Sequence, residues 1–202
     1  MTTFFKNVSR VGIMTVMVMA LLTLADSKVG KELASSFTKQ SDSNILQGFT
    51  VKAEAASPSY YVKGIPMPAA QQKYLYNLSK QRGLNYAEML AFIKHESSFK
   101  PKARGGSNYG YFQINKVNHA RLTKTLRTKN APFDPYVNMN WGTYMISDLY
   151  KKYQRKGLRG TALKNAVLSA YNRGEGGYAK YGVAKSYVNK HNQCLSYIKA
   201  RM

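Results

Sequence analysis

Glu96 ends a stripe of apolar side chains. Met89, Phe92 and Ile93 lie seven, four and three residues before it, and on an α-helix these spacings place side chains on one face. A carboxyl group on that face is desolvated, which disfavours its charged form. A rise of about 2.7 units above the ordinary glutamate pKa would leave it half protonated at pH 7, able to donate and to accept a proton. The same position also suits a glutamate paired with one of the many lysines.

Two of the other acidic residues beyond Tyr60 are expected to cap helices. The pattern Asn85-x-x-Glu88 resembles a capping box, in which both side chains bind free backbone N–H groups at a helix start. In Asp134-Pro135, an N-cap acid precedes proline at the first helical position. We therefore interpret Glu88 and Asp134 as structural.

The remaining acids of this part are Asp148 and Glu175. Asp148 lies about one helical turn before Lys151 and Lys152, so either lysine is within pairing reach. Glu175 lies in the glycine-rich residues 174–177, which we predict to be a loop. Glu175 therefore has no assigned partner.

Histidine, cysteine and tryptophan suggest no further chemistry. His95 is rotated by about 100° from Glu96 on a helix, which predicts an exposed side chain. His119 and His191 lack metal-ligand spacing to acids or sulfur, so we expect neither a metal nor a cofactor. Cys194 is the only cysteine and is predicted to be a free, apolar thiol. Trp141 is predicted to lie in the core.

The elements that position these residues are mostly helical. Glycine followed by aromatic residues at 105–114 indicates a turn with a short strand or hairpin. Apolar periodicity and capping signals predict the helices: residues 68–82, a helix from Asn85, a helix from Asp134 through Leu149, residues 161–171 and residues 186–198.

The N-terminal region has the layout of a signal peptide. Lys6 and Arg10 precede an apolar run at residues 11–24, followed by small residues. This run is 14 residues long, shorter than the roughly 20 that span a bilayer, so cleavable export is favoured over a permanent anchor. We predict a signal peptide at residues 1–25, a polar linker at 26–59 and a catalytic domain at 60–202.

The chain carries 31 lysines and arginines against nine acidic residues, a formal charge of +22. Such an excess predicts a polyanionic partner: nucleic acid, an acidic membrane or an anionic cell wall. An exported protein meets wall polymers, so we expect these and not nucleic acid, with membrane contact only through an uncleaved N-terminal segment.

Three motifs follow one another in order: ESSFKP at residues 96–101, GYFQI at 110–114 and AYNRG at 170–174. Together they resemble the soluble lytic transglycosylase family, which is related to goose-type lysozymes. That family has a Glu-Ser-x-Phe-x-Pro segment, a Gly-Leu-Met-Gln-Ile-like segment and an Ala-Tyr-Asn-x-Gly segment. The likeness covers residues 68–198 and implies a mostly α, lysozyme-like domain with a short β-hairpin or turn region.

The resemblance also implies roles for individual residues. Glu96 matches the catalytic acid, and Ser97 matches a serine that helps to shape a sugar subsite. Gln113 matches the substrate-binding glutamine. Tyr171 and Asn172 match the pair that orients the catalytic carboxylate and contacts sugar.

The sequence departs from the family pattern at two places. Tyr111 and Phe112 replace the commoner Leu-Met pair, which makes an apolar wall bulkier. The usual Thr-x-x-Tyr-Val is present at residues 184–188 without its threonine, and Tyr187 matches the substrate-binding tyrosine. The stretch from Asp134 to Asn138 resembles the family's opening of its next long helix.

The implied activity is cleavage of the β-1,4 bond between N-acetylmuramic acid and N-acetylglucosamine in peptidoglycan. Attack by the sugar's own 6-hydroxyl would leave 1,6-anhydro ends, without a metal or cofactor. One alternative is a goose-type-lysozyme-like hydrolase; an inverting one needs a second carboxylate, for which Glu175 remains. The other is a wall-binding protein without activity. Each is expected to be secreted or associated with the cell wall.

Overall fold

The computed structural model describes residues 60–202, and the predicted signal peptide and linker lie outside the described residues. The predicted mostly helical fold with a short β region is confirmed. No helix within 60–202 has both the length and the apolar character that crossing a bilayer requires. The elements are α1 (Ala69–Gln81), α2 (Tyr86–Ser97), β1 (Arg104–Gly105), β2 (Asn108–Tyr109), β3 (Ile114–Asn115), a 3₁₀ turn (Lys116–Asn118), α3 (His119–Leu126), α4 (Pro135–Arg155), α5 (Gly160–Tyr181) and α6 (Lys185–Lys199).

The strands form one antiparallel sheet in the order β1-β2-β3. Around it, α2 packs most extensively against α6, and α4 packs against α1 and α5. The interior of α2 is buried, including Met89, Phe92 and Ile93, as its periodicity predicts. Trp141 is fully buried, and its Nε1–H donates to Thr128 Oγ1 over 2.8 Å, so its predicted place in the core is confirmed.

The helix starts follow the sequence signals, with one exception. The Asn85 side chain accepts the Glu88 backbone N–H over 3.1 Å, and the Asp134 carboxylate accepts two backbone N–H groups at the start of α4. The carboxylate of Glu88 is instead paired with Lys164 and His191. The predicted capping box is therefore only half formed, because long-range partners compete for that carboxylate.

The segment between β2 and β3 is fixed from both sides through Phe112. Its backbone N–H donates to the buried side chain of Asn138 on α4 over 2.8 Å, and its carbonyl accepts the Tyr171 hydroxyl of α5 over 2.6 Å. The Asn138 amide also donates to the carbonyls of Tyr109 and Pro132. These bonds join the turn before β3 to both long helices.

Helix α5 extends ten residues beyond its predicted end at Tyr171. It contains a kink at Gly174, where φ is 74° and ψ is 162°, a conformation that is strained for residues with a Cβ atom. The predicted loop at 174–177 is wrong: the chain resumes helical structure after the kink. One glycine makes the change of chain direction for which the sequence predicts a loop.

A glycine on α4 permits close packing against the turn before β3. A Cβ atom at Gly142 would lie 2.2 Å from Phe112 Cγ, whereas one at Gly176 on α5 would meet nothing within 4 Å. We expect Gly142→Ala to lower the free energy of unfolding by about 1–3 kcal/mol through overpacking. Gly176→Ala, the matched control, should raise it by about 0.5–1 kcal/mol through helix propensity. Urea unfolding followed by circular dichroism measures both, and an unchanged stability of Gly142→Ala would contradict this packing.

Candidate active site

The end of α2 places Glu96 beside a cavity. The helix ends at Ser97, and the next two residues, Ser98 and Phe99, both have positive φ, 51° and 63°. This left-handed turn stops the helix and leads the chain toward the sheet. Glu96 thus lies in the last helical turn, where its side chain lines the cavity.

The carboxyl group of Glu96 is held close to half ionisation at neutral pH. Burial raises its pKa from 4.5 to about 7, and a hydrogen bond from the Tyr187 hydroxyl to Oε1 offsets part of that rise. No basic partner pairs with Glu96 among residues 60–202. Within this region, Glu96 has no lysine partner: its carboxyl group is half-buried and hydrogen-bonded to a tyrosine.

The cavity has a volume of about 550 Å³ and brings together four of the six predicted site residues. They are Glu96 from α2, Gln113 from the turn before β3, and Tyr171 and Asn172 from α5. Ser97 and Tyr187 are not part of its lining. Ser97 is buried, and its hydroxyl donates to the Ile93 carbonyl over 2.9 Å.

Gln113 presents its amide oxygen as the free end of its side chain. Its backbone has φ of 46°, and its Nε2 donates to the carbonyls of Gly110 and Ala103 over 2.9 and 3.1 Å. With both amide hydrogens used, Oε1 remains to accept a bond from a ligand. Oε1 lies 2.9 Å from where a Cβ of Gly105 would stand, so this pose needs a glycine there.

Tyr187 is hydrogen-bonded to Glu96, whereas Tyr171 is not. The Tyr171 hydroxyl donates to the Phe112 carbonyl. The hydrogen bond to the Glu96 carboxylate comes instead from Tyr187, whose motif lacks the family's threonine. Burial, followed by the charge of Glu96, raises the Tyr171 pKa well above its ordinary value. Tyr171 therefore remains neutral beside the carboxyl group.

The prediction that His95 is exposed is wrong. Its ring is half buried and packs against Tyr187, with centroids 4.2 Å apart. Burial, with smaller contributions from the charges of His191 and Lys190, lowers its pKa to about 4, so the ring is neutral at pH 7. The rotation of 100° from Glu96 turns His95 toward α6, which covers that side of α2.

Two further carboxylates line the same cavity, and both depart from expectation. Lys152 forms its ion pair with Glu175, and no ion pair within residues 60–202 includes Asp148. Asp148 and Glu175 both line the cavity. The predicted pairing of Asp148 with a neighbouring lysine is wrong because the kinked α5 brings Glu175 to Lys152. No group of three or more metal-ligating side chains is present in the described part of the chain.

The Tyr187 hydrogen bond stabilises the ionised form of Glu96, so Tyr187→Phe should raise the Glu96 pKa. A hydrogen bond to a charged group contributes about 1.5–3 kcal/mol, which corresponds to a rise of about one unit or more. The pKa of Glu96 is about 7 in the folded protein and 4.5 in the unfolded chain. The contribution of protonated Glu96 to the free energy of unfolding is therefore fully present below pH 4.5 and is lost as pH rises through about 7. An NMR titration of the Glu96 carboxyl carbon measures the shift. An unchanged or lower pKa in Tyr187→Phe would contradict the contact.

The chain is similar to proteins named lytic transglycosylases. A curated relative, the membrane-bound lytic murein transglycosylase C of Yersinia enterocolitica, is 28% identical over 127 residues, which cover 59% of this chain and 34% of the relative. The chain thus spans about a third of that relative. Two solved structures are also similar: an inactive mutant of lytic transglycosylase Slt from Pseudomonas aeruginosa and the 70 kDa soluble lytic transglycosylase from Escherichia coli. Their TM-scores are 0.47 and 0.46, and their sequence identities are 19% and 20%, respectively. Each match covers 65% of this chain and 22% or 23% of the solved chain, respectively.

The model of the transglycosylase SLT domain matches residues 73–193. This match contains all three motifs, the cavity and each of the six predicted site residues. It spans more than half of the 202 residues, and the chain therefore belongs to the transglycosylase SLT domain family.

Proposed function

We propose that residues 60–202 cleave the β-1,4 bond between N-acetylmuramic acid and N-acetylglucosamine in peptidoglycan and leave 1,6-anhydro ends. The observation that carries the proposal is a half-buried carboxyl group, Glu96, which lines a cavity and has a pKa raised to about 7. The family match and the lytic murein transglycosylase similar to this chain support the same substrate. Glu96 is the single acid and base of the proposed reaction.

In the first step, protonated Glu96 donates its proton to the glycosidic oxygen as the bond to the muramic acid C1 breaks. General acid catalysis is most effective when the pKa of the acid lies near the working pH. Burial supplies that match. The hydroxyl of Tyr187 then donates to the new carboxylate and stabilises its charge.

In the second step, the Glu96 carboxylate accepts the proton of the 6-hydroxyl as that oxygen bonds to C1 of the same sugar. Proximity within one bound residue replaces an activated water. The proton returns to Glu96, so the enzyme is regenerated without a second carboxylate. The products are a 1,6-anhydro-muramic acid end and a free 4-hydroxyl on the departing sugar.

The other predicted residues bind the glycan in this proposal. The free Oε1 of Gln113 accepts a hydrogen bond from a sugar, and Asn172 contributes its side-chain amide from α5. Tyr171, also on α5, lines the same cavity. Ser97 shapes the subsite through the end of α2, because its hydroxyl is bonded to the Ile93 carbonyl.

A hydrolase is the second candidate because the cavity also contains Asp148 and Glu175. An inverting hydrolase uses a second carboxylate to activate water. The carboxylate of Glu175 is engaged in an ion pair with Lys152. Asp148 has no ion-pair partner among the described residues. Both acids therefore need direct tests.

Glu96→Gln should reduce wall cleavage by about 10²–10⁴-fold, because the amide keeps the shape of the side chain but cannot cycle a proton. Glu175→Gln and Asp148→Asn make the same isosteric change at the other two carboxylates and should retain cleavage with anhydro products. Turbidity of purified walls and mass spectrometry of the released muropeptides measure both effects. Cleavage by folded Glu96→Gln, or reducing-end products that disappear in either comparison variant, would overturn the single-carboxylate reaction.

We also propose that the protein is secreted or wall-associated and that its positive surface binds anionic wall polymers. Residues 60–202 contain 25 lysines and arginines but five acids, and the lysine ion pairs within this region use only Glu88 and Glu175. Exposed charges are screened within about 10 Å at 0.1 M salt. Activity on intact walls should therefore fall with added salt more steeply than activity on short soluble glycans. Equal salt dependence on both substrates would contradict this role.

A further inference from the structure

A partly buried cluster of Glu88, Lys164 and His191 joins the three helices that surround Glu96. The carboxylate of Glu88 on α2 contacts Lys164 Nζ of α5 over 2.7 Å and His191 Nε2 of α6 over 2.6 Å. The side chains of Glu88, Lys164 and His191 are 15%, 24% and 0% exposed. The other ion pair of residues 60–202 joins α4 to α5, so within this region the cluster is the ionic link of α2 to α5 and α6.

Each of these helices also carries one residue at the reaction centre. Glu96 lies eight residues after Glu88 on α2, and Tyr171 lies seven residues after Lys164 on α5. Both spacings correspond to two helical turns. Tyr187 lies one turn from His191 on α6. The same three helices therefore meet at two levels, once at the cluster and again, one to two helical turns away, at the site. We call these the two layers.

Ring contacts connect the two layers. The His191 ring packs against Phe92 with centroids 4.5 Å apart, and Phe92 packs against Tyr171 at 5.1 Å. On the other side, His95 lies 6.2 Å from His191 and 4.2 Å from Tyr187. A displacement of His191 would thus reach both tyrosines beside the carboxyl group through packed side chains.

We propose that Glu88 is a positioning residue, which holds α6 against α2 through His191 so that the Tyr187 hydroxyl stays on the Glu96 carboxyl group. The inference rests on the proposed function for its effect on turnover. Its structural part, the hold on Tyr187, does not depend on what the site cleaves.

Glu88 is ionised at the pH at which Glu96 titrates. Burial alone would raise the Glu88 pKa, but hydrogen bonds from His191 and Lys164 and their charges hold it below the ordinary value. From α4, Tyr150 also faces Glu88. Burial, followed by the Glu88 charge, raises the Tyr150 pKa to about 12, so this neighbour is neutral. The contribution of Glu88 to stability is thus present at neutral pH and is lost as pH falls through its lowered pKa.

The direction of one shift separates positioning from simple electrostatics. Loss of the negative charge of Glu88, with Lys164 left in place, would by charge alone favour the ionised form of Glu96 and lower its pKa. Loss of the Tyr187 hydrogen bond would instead raise that pKa. Glu88→Gln therefore gives opposite results under the two explanations.

The test is a double-mutant cycle of Glu88→Gln and Tyr187→Phe in the full chain. We expect Glu88→Gln to raise the Glu96 pKa, read by NMR, and to lower kcat on a soluble glycan about tenfold with little change in KM, since small misplacements slow the chemical step. In the Tyr187→Phe background, both effects should shrink, to less than about twofold in kcat, because the contact being positioned is already absent.

A control variant shows whether a loss of stability alone shifts the Glu96 pKa. Leu75→Ala truncates a fully buried side chain on α1, which carries none of the six predicted site residues, and it should leave the Glu96 pKa unchanged. If Glu88→Gln does not fold, His191→Gln is carried through the same cycle, because it changes the α6 side of the α2–α6 contact and keeps Lys164 paired with Glu88; the coupling to Tyr187→Phe then decides the inference.

Additive effects in the cycle, or a fall of the Glu96 pKa in Glu88→Gln, would overturn the inference. Failure of the proposed function gives a different result. In that case the wild-type chain releases no anhydro-muropeptides, while the NMR arm of the cycle still decides whether Glu88 positions Tyr187.

Discussion

The constraint on which the site depends is the partial desolvation of one carboxyl group beside one hydrogen-bond donor. Glu96 is withdrawn from water at the end of α2, and desolvation raises its pKa to about 7. Full burial without a hydrogen-bond donor would raise the Glu96 pKa so far that the carboxylate would not form after proton donation. A cationic partner would instead keep Glu96 ionised, so that it would have no proton to donate. Tyr187 supplies an intermediate environment, a neutral hydroxyl that favours the carboxylate by a limited amount.

The rest of the domain fixes the groups around that carboxyl. The turn that carries Gln113 depends on Phe112, whose backbone N–H is bonded to Asn138 and whose carbonyl is bonded to Tyr171. Gln113 follows with a positive φ, a strained conformation that persists where surrounding contacts hold it. The polar group that is presented to a ligand therefore stands on a rigid turn, not on a free loop.

Sequence reasoning identified the elements whose signals are local. The 3.6-residue period of α2 predicts the burial of Glu96, and the caps at Asn85 and Asp134 form as expected. It failed where distant segments compete for a side chain. His95 is covered by α6 and Lys152 pairs with Glu175, and neither neighbour can be deduced from spacing along one helix.

The kink at Gly174 shows a similar limit of local signals. Glycines predict a change of chain direction, and here a single residue makes that change while the helix continues on both sides. As a result Glu175 lies at the cavity beside Lys152. The tyrosine that bonds to Glu96 was matched by its motif, but its contact depends on how α6 packs against α2.

The central claim is that one carboxylate cleaves the glycan by an intramolecular attack, without water as nucleophile. Digestion of purified walls in water enriched in the heavy oxygen isotope, followed at once by mass spectrometry of the muramic acid ends, tests it most directly. The intramolecular reaction predicts anhydro ends that contain no heavy oxygen. Reducing ends that carry one heavy oxygen at C1 would show that water attacks, and they would contradict the account.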